Sequence, residues 1–187
     1  MKRGVVEEVR KFVEEECKKP YNQYTYEVYT YHIEPVVRRA KEMAFKLGID
    51  LELIELAALL HDIGLVRYGR DNHHITSADI AERKLNELEY PPEKIEIIKR
   101  CILTHRGSQA NLREGVEEQI IADADAMAHF DTIGGLFKVN FLIQKDKGQG
   151  EITKFIREKY INSYQKLSKE AKEIIKPKYE AAMLLLT

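Results

Sequence analysis

Apolar residues recur every three or four positions along almost the whole chain, and sustained strict alternation of apolar and polar residues is absent. That spacing gathers the apolar side chains on one face of an α-helix, whereas a half-buried strand needs alternation. The tyrosine-rich stretch at 24–31 is the one segment that could pass for a strand, and it has nothing to pair with. The sequence therefore predicts an all-α fold, a helical bundle.

The length and charge limit the organisation and the partners. A chain of 187 residues with 44% hydrophobic content can bury one core, so we expect a single domain over residues 1–187. Lysine and arginine total 30 against 31 acidic residues, and the net charge of -1 provides no field for holding DNA or an anionic membrane. With no apolar stretch of signal-peptide or membrane-spanning length, we expect a cytoplasmic protein that binds neither nucleic acid nor membrane.

Caps, glycines and prolines predict the ends of the first helices. The first ends before Pro20, and the second runs from His32 to Leu47 and stops at Gly48. Asp50 caps the third, which breaks at Gly64.

Similar signals predict the later helices. Thr76 or Ser77 caps the fourth helix, and Pro91-Pro92 opens the fifth. The sixth spans 116–131, and Gly134-Gly135 separates it from a seventh, with two amphipathic helices after a loop at 145–150.

Three of these helices turn a histidine or an aspartate toward the interior. His61 follows apolar residues at helical spacing and precedes Asp62 at a helix end, while His32 shares an apolar stripe of its own helix. Asp125 lies in a run of mostly small residues, where buried carboxylates need a cation or strong donors to stay ionised. A lone His61-Asp62 pair could be a hydrogen-bonded core contact, but ligands from several facing helices are typical of metal sites in bundles.

The order His32, His61-Asp62 and Asp125 resembles the H…HD…D signature of the HD-domain superfamily of metal-dependent phosphohydrolases. Residues 57–64 and 124–127 also resemble characteristic segments of that family. The resemblance covers roughly residues 30–130, and it implies a metal-site core there with the helices of 132–187 covering it. It also implies that His32, His61, Asp62 and Asp125 hold a divalent ion and that Asp62 and His61 form the catalytic centre.

A subset of the superfamily holds two ions. His74, which we prefer to its neighbour His73, and His105 are similar to the additional histidines of that subset, with Asp62 bridging the ions. Arg106 stands where the subset commonly has a second histidine. The number of ions, one or two, therefore stays open. Imidazole and carboxylate ligands accept iron, manganese, zinc, cobalt, nickel or magnesium, and affinity alone does not choose among them.

Two further residues near Asp125 have alternative roles. His129, one turn after Asp125, could orient a ligand or a water, as could His73, or His129 could be a satisfied core histidine. Asp123 could replace Asp125 as ligand or support it, but the spacing found in the family favours Asp125.

The resemblance implies hydrolysis of a small phosphorylated molecule, such as a nucleotide or dinucleotide polyphosphate. Arg106 is our preferred phosphate contact, and Arg67 and Arg70 are weaker candidates, although each could be an ordinary solvated arginine. Two alternatives stay open: a non-enzymatic metal-binding or ligand-sensing domain, and a di-iron oxygenase.

Overall fold

The computed structural model describes residues 4–186, apart from the side chains of 109–111, and all regular elements in this part of the chain are helical. The α-helices are α1 Val5–Cys17, α2 Glu34–Leu47, α3 Leu51–Leu60, α4 Ile63–Tyr68, α5 His73–Glu87, α6 Pro92–Thr104, α7 Val116–Asp131, α8 Ile133–Ile143, α9 Gln149–Lys166 and α10 Lys169–Leu185. A π-helical turn, Tyr29–Ile33, leads into α2, and a 3₁₀ turn, Gly107–Leu112, follows α6. The all-α prediction is confirmed.

Helix α3 is the centre of the main core. All residues from 53 to 60 are buried, because α3 is surrounded by α1, α2, α5, α6 and α7. A helix that is apolar on all sides is stable only in such a position. Its one buried acid, Glu55, is paired with Arg10 of α1 and Lys41 of α2. Residues that follow α3 therefore emerge directly from the middle of the core.

The C-terminal helices form a second layer on the other face of α7. Met127 and Phe130 of α7 pack with Ile156 and Tyr160 of α9 and with apolar residues of α10. The hydroxyl of Tyr160 donates a hydrogen bond of 2.7 Å to the carbonyl of His129. Helix α9 is thereby held against the helix that carries Asp125.

Asp131, the last residue of α7, connects three helices. Its carboxylate accepts two hydrogen bonds of 2.6 Å from Arg39 of α2 and a further one from Lys178 of α10. The Asp131 side chain is only 2% exposed, so this contact is largely shielded from water.

Two predicted boundaries around α4 are wrong. Helix α3 ends at Leu60, and Gly64 lies inside α4 instead of breaking a helix. A Cβ at Gly64 would lie 2.2 Å from Oγ1 of Thr76 and 2.7 Å from the carbonyl oxygen of His73, so glycine permits close packing of α4 on α5. Helix α5 begins at His73, and Ser77 does not cap it but accepts a hydrogen bond of 2.8 Å from the Gly64 N–H.

Of the other predicted boundaries, the cap at Asp50 is present and the break at Gly134-Gly135 is not. Asp50 caps α3, since its Oδ1 accepts from the backbone N–H groups of Glu52 and Leu53 at 3.0 and 3.2 Å. The Gly134-Gly135 pair lies within α8, and the break after α7 is at Thr132 instead. No helix among residues 4–186 is long and apolar enough to span a membrane.

Candidate metal centre and adjoining cavity

The junction between α3 and α4 places His61 and Asp62 together. The backbone of Asp62 leaves the helical region, with φ -113° and ψ 15°, before α4 begins. This break brings both side chains to the same side, where His61 Nε2 lies 3.5 Å from Asp62 Oδ2. The expected convergence of the two neighbours is therefore present.

His32 and Asp125 join this pair to form the first ligand group. His32, in the π-helical turn before α2, places its Nε2 3.2 Å from Asp62 Oδ2 and 3.2 Å from His61 Nε2. The same nitrogen lies 3.3 Å from Oδ1 of Asp125 on α7. The structure brings together the four residues that the resemblance implied for a first ion.

A second ligand group uses the other oxygen of Asp62. Its Oδ1 lies 3.4 Å from Nε2 of His73 and 3.7 Å from Nε2 of His105, and the three residues are buried. His73 stands at the start of α5 and His105 directly after α6.

The second group contains His73 in place of His74, which our sequence analysis preferred. His74 lies outside the group, with its Nδ1 3.4 Å from Nη1 of Arg106. Consecutive residues in a helix point about 100° apart, so only one of the two can face Asp62.

Three of the histidines are oriented in the same way. Each has its Nδ1 2.6 to 2.8 Å from the backbone carbonyl three residues earlier: His61 from Ala58, His73 from Arg70, and His105 from Ile102. A carbonyl only accepts, so each Nδ1 carries a hydrogen, and Nε2 is the atom that each ring turns toward Asp62 and could offer to an ion. Histidine ligands of metals are commonly held by such a contact to the second nitrogen.

An unpaired oxygen shows that these residues fit a divalent ion. Asp62 Oδ1 is buried and has no hydrogen-bond partner among the described residues. A buried carboxylate oxygen without a donor is costly. A cation bound by Asp62 Oδ1 together with His73 and His105 would satisfy it, and imidazole with carboxylate is a donor set that divalent transition metals accept.

The carboxylates and His105 have the protonation states of metal ligands, whereas His32 must give up a proton when an ion binds. Burial alone would lower the pKa of His32, but its hydrogen bonds with Asp125 and Asp62 outweigh burial and raise that pKa to about 9. Burial alone would raise the pKa of Asp62, but His61 and His32 outweigh it and hold that pKa well below its ordinary value. The pKa of Asp125 is lowered in the same way, against burial, chiefly by its hydrogen bond with His32. Burial lowers the pKa of His105 to about 4. At neutral pH both carboxylates are ionised and His105 is neutral.

Among the remaining candidate residues, His129 lies beside the first group. Its ring stacks on that of His32, with centroids 5.3 Å apart, and one ligand atom of each of His32, Asp125 and His129 lies within 4.8 Å of the others. Nδ1 of His129 is 3.3 Å from the hydroxyl of Ser163 on α9.

Asp123 and Arg67 lie elsewhere. Asp123 accepts a hydrogen bond of 2.9 Å from the backbone of Ser168 at the start of α10, so it supports a helix junction and is absent from the ligand groups. Arg67, which the sequence analysis named as a candidate phosphate contact, does not line the cavity. Its Nε lies 2.5 Å from Oε2 of Glu16, and its guanidinium lies over the Phe12 ring.

A cavity of about 720 Å³ opens beside both ligand groups. Arg106 lines it as predicted, together with Arg70 and with three cations that the sequence analysis missed: Arg113, Lys159 and Lys166. The two lysines come about thirty residues or more after Asp125, and the only sequence signal for them is that both share one helical stripe with Phe155. The lining also includes apolar residues, namely Leu136, Val139 and Ile143 of α8 and Phe155 of α9.

Comparison with known proteins identifies the family. Residues 29–129, more than half of the chain, match the model of the HD domain. The chain belongs to the HD-domain family. This confirms the resemblance in the signature residues, and HD-domain membership supports the class of metal-dependent hydrolases.

Two solved structures share the HD-domain fold. Bacillus subtilis YpgQ in complex with ADP has a TM-score of 0.67 and 19% sequence identity, covering 96% of this chain and 92% of that one. A predicted HD superfamily hydrolase from an uncultured Thermotogales bacterium has a TM-score of 0.57 and 20% identity, covering 85% and 87%. At these identities the likeness is one of fold.

Two relatives match over shorter stretches. An uncharacterised protein of Clostridium beijerinckii is 41% identical over 66 residues, which are 34% of this HD-domain chain and 42% of that protein. The tRNA (cytidine(56)-2'-O)-methyltransferase of Picrophilus torridus is 28% identical over 116 residues, 54% of this chain and 32% of the enzyme. The chain thus spans less than half the length of either relative.

Proposed function

We propose that this protein is a metal-dependent phosphohydrolase that acts on a small phosphorylated molecule, and on a nucleotide in particular. The observation that carries the proposal is the position of Asp62, which turns Oδ2 to the first ligand group and the buried, unpaired Oδ1 to the second. Such an arrangement suits one carboxylate shared by two ions.

The two groups assign the ligands. His32, His61, Asp62 and Asp125 would hold the first ion; Asp62, His73 and His105 would hold the second. A bound divalent ion lowers the pKa of its water and neutralises charge that develops on phosphorus. The chain itself keeps each Nε2 directed inward through the backbone carbonyls, and burial in the core keeps His105 neutral. Iron, manganese, zinc, cobalt, nickel and magnesium are the candidate ions.

The cavity supports a nucleotide as substrate. Its cations would bind phosphate oxygens, and Phe155 with the apolar wall of α8 would contact a nucleoside. Arg113 has a different task, since its guanidinium donates to the backbone carbonyls of Thr104 and His105 and so supports the end of α6. The ADP bound to YpgQ, a protein of the same fold, is consistent with this substrate class.

The expected setting is part of the proposal. We infer one domain that works in the cytoplasm on a small molecule. The net charge of -1 supports a small substrate over a nucleic acid, because it provides no general attraction for a polyanion. A cavity of about 720 Å³ is within the range of small-molecule sites.

The test combines metal analysis with a phosphate-release screen. Wild type, Asp62→Asn and the control Asp79→Asn, an exposed aspartate of α5, are loaded with each candidate ion and assayed on nucleoside mono-, di- and triphosphates. We expect wild type and the control to hold one or two ions and to release phosphate, and Asp62→Asn to lose both. Metal retention without cleavage of any phosphoester would refute the hydrolase and favour the sensing domain, and a stable mixed-valent iron pair that consumes oxygen would favour the oxygenase.

A further inference from the structure

Helix α9 presents one polar stripe to the cavity, and this stripe lies outside the part of the chain that matches the HD domain. Lys159, Asn162, Ser163 and Lys166 all line the cavity, at the spacing of one helical face. The substrate side of the cavity is therefore built partly by residues that the family signature does not include.

Lys159 is partly buried, and no carboxylate lies within 4.0 Å of its ammonium group among residues 4–186. Three other partly buried cations are paired with carboxylates: Arg10 with Glu55, Arg39 with Asp131, and Arg67 with Glu16. Arg113 donates to backbone carbonyls instead. Burial lowers the pKa of Lys159 in spite of the attraction of Asp125, and the charges of Arg70 and Lys166 act in the same direction as burial. An ammonium group in this position is costly until an anion is bound beside it.

Lys166 occupies a separate position at the mouth of the cavity. Its side chain lies across Gly107, where a Cβ would be 2.2 Å from the Lys166 Cδ and 2.8 Å from its Nζ. Because Gly107 has no side chain, the ammonium group of Lys166 can lie against it, next to Arg106 in the sequence. Neither Lys166 nor Arg106 has a carboxylate partner within 4.0 Å in the described part of the chain.

We propose that α9 binds a chain of two or more linked phosphates, with Lys159 contacting the phosphoryl group next to the ligand groups and Lys166, with Arg106, contacting a further phosphate. The two lysines are seven residues apart, about 10.5 Å along the helix axis. A monophosphate held beside Asp125 leaves Lys166 without a partner, whereas a longer phosphate chain extends to it. The assignment of the reacting group rests on the proposed function; the anion binding does not.

Calorimetric binding of inorganic phosphate and of pyrophosphate, with Mg²⁺ in excess, tests this proposal. Methylenediphosphonate, whose P–C–P bridge is not hydrolysed, replaces pyrophosphate if phosphate is released during the titration. We expect wild type to bind pyrophosphate at least about tenfold more tightly than phosphate, since one more charge-assisted contact forms. Lys166→Met should weaken pyrophosphate binding about tenfold and leave phosphate unchanged, while Lys159→Met should weaken both about tenfold. Lys154→Met, at an exposed lysine of the same helix, should change neither.

The outcomes separate this inference from the proposed function. The inference is overturned if wild type shows no preference for pyrophosphate or fails to bind it, or if the variants at 159 and 166 bind as wild type does. Lys159→Arg, which keeps the charge, should retain most of the binding, and a melting curve for each variant shows that folding is intact. If the variants bind as expected but no phosphoester is hydrolysed, the proposed hydrolase function is refuted and the role of α9 stands. If phosphoesters are hydrolysed but binding does not depend on the number of phosphates, the role of α9 is refuted and the hydrolase function stands.

Discussion

Nε2 of His73 lies 3.4 Å from Oδ1 of Asp62, a buried carboxylate oxygen that has no hydrogen-bond partner in the described part of the chain. The next residue, His74, contacts Arg106 instead. We therefore predict that His73→Gln lowers the metal content by up to one ion per chain, while His74→Gln leaves it unchanged. Mass-spectrometric metal analysis of both variants after identical loading makes the comparison. An equal loss in the two variants, or a loss only at 74, would contradict the second ligand group.

Arg67 and Arg70, three positions apart, are expected to have different roles, one structural and one in substrate binding. Arg67 is paired with Glu16, whereas Arg70 lines the cavity. Arg67→Ala should lower the free energy of unfolding by about 1 kcal/mol or less and leave KM unchanged. Arg70→Ala should raise KM severalfold with little change in unfolding, because it removes a cation from the cavity. Steady-state kinetics and urea denaturation of the two variants test these expectations. An increase in KM for Arg67→Ala would show that Arg67 contacts the substrate after all.

The Asp131 contact makes stability depend on pH. Burial alone would raise the pKa of Asp131, but hydrogen bonds from Arg39 and Lys178 outweigh it and lower that pKa to about 2. Since the folded pKa lies below the unfolded value, the contact stabilises above about pH 4, and the effect is lost as pH falls to about 2. Asp131→Asn should cost about 2 kcal/mol of unfolding free energy at pH 7. The difference from wild type in urea denaturation should shrink between pH 4 and pH 2; a difference independent of pH would exclude this ion pair as its cause.

Close packing of α4 on α5 predicts a steric effect at Gly64. A Cβ there would lie 2.2 Å from Oγ1 of Thr76, so Gly64→Ala should destabilise the protein by about 1–3 kcal/mol and lower metal occupancy by displacing His73. Gly134→Ala is the matched control, because no atom lies within 4 Å of its added Cβ. It should be neutral or stabilising by up to about 1 kcal/mol. Urea denaturation with metal analysis checks both, and a stable, fully loaded Gly64→Ala would show that the helices separate without cost.

The helical fold could be predicted from the sequence because it depends on local patterns, and so could the buried positions of the four residues in the first ligand group. Their grouping around one ion came from the resemblance to the HD-domain superfamily. Helical spacing of apolar residues determines which side of each helix is buried, and His32, His61, Asp62 and Asp125 lie on those sides or at helix ends. The cap at Asp50 was equally legible, since capping involves residues only two or three positions away.

Two kinds of feature were missed. The choice between His73 and His74 depends on where α5 begins, and Asn72, a residue type common at helix starts and at a positive φ such as its 51°, was a local signal that went unused. Other features depend on distant contacts. Arg67 was predicted as a phosphate contact because nothing near it in the sequence indicates its partner, Glu16, which is 51 residues earlier. Lys159 was missed because the stripe that it shares with Phe155 does not tell what that face of α9 contacts, which depends on how α9 packs against α7.

The carbonyl contacts of His61, His73 and His105 have a consequence for how the site assembles. Each ring is oriented by the backbone of its own chain segment, three residues earlier, and not by a neighbouring helix. Ligand direction is thus a local property that arises as each segment forms, while the distances between ligands depend on helix packing. A core mutation far from the site can therefore spread the ligands apart without rotating them, and little rotational freedom of the rings remains to be lost when an ion binds.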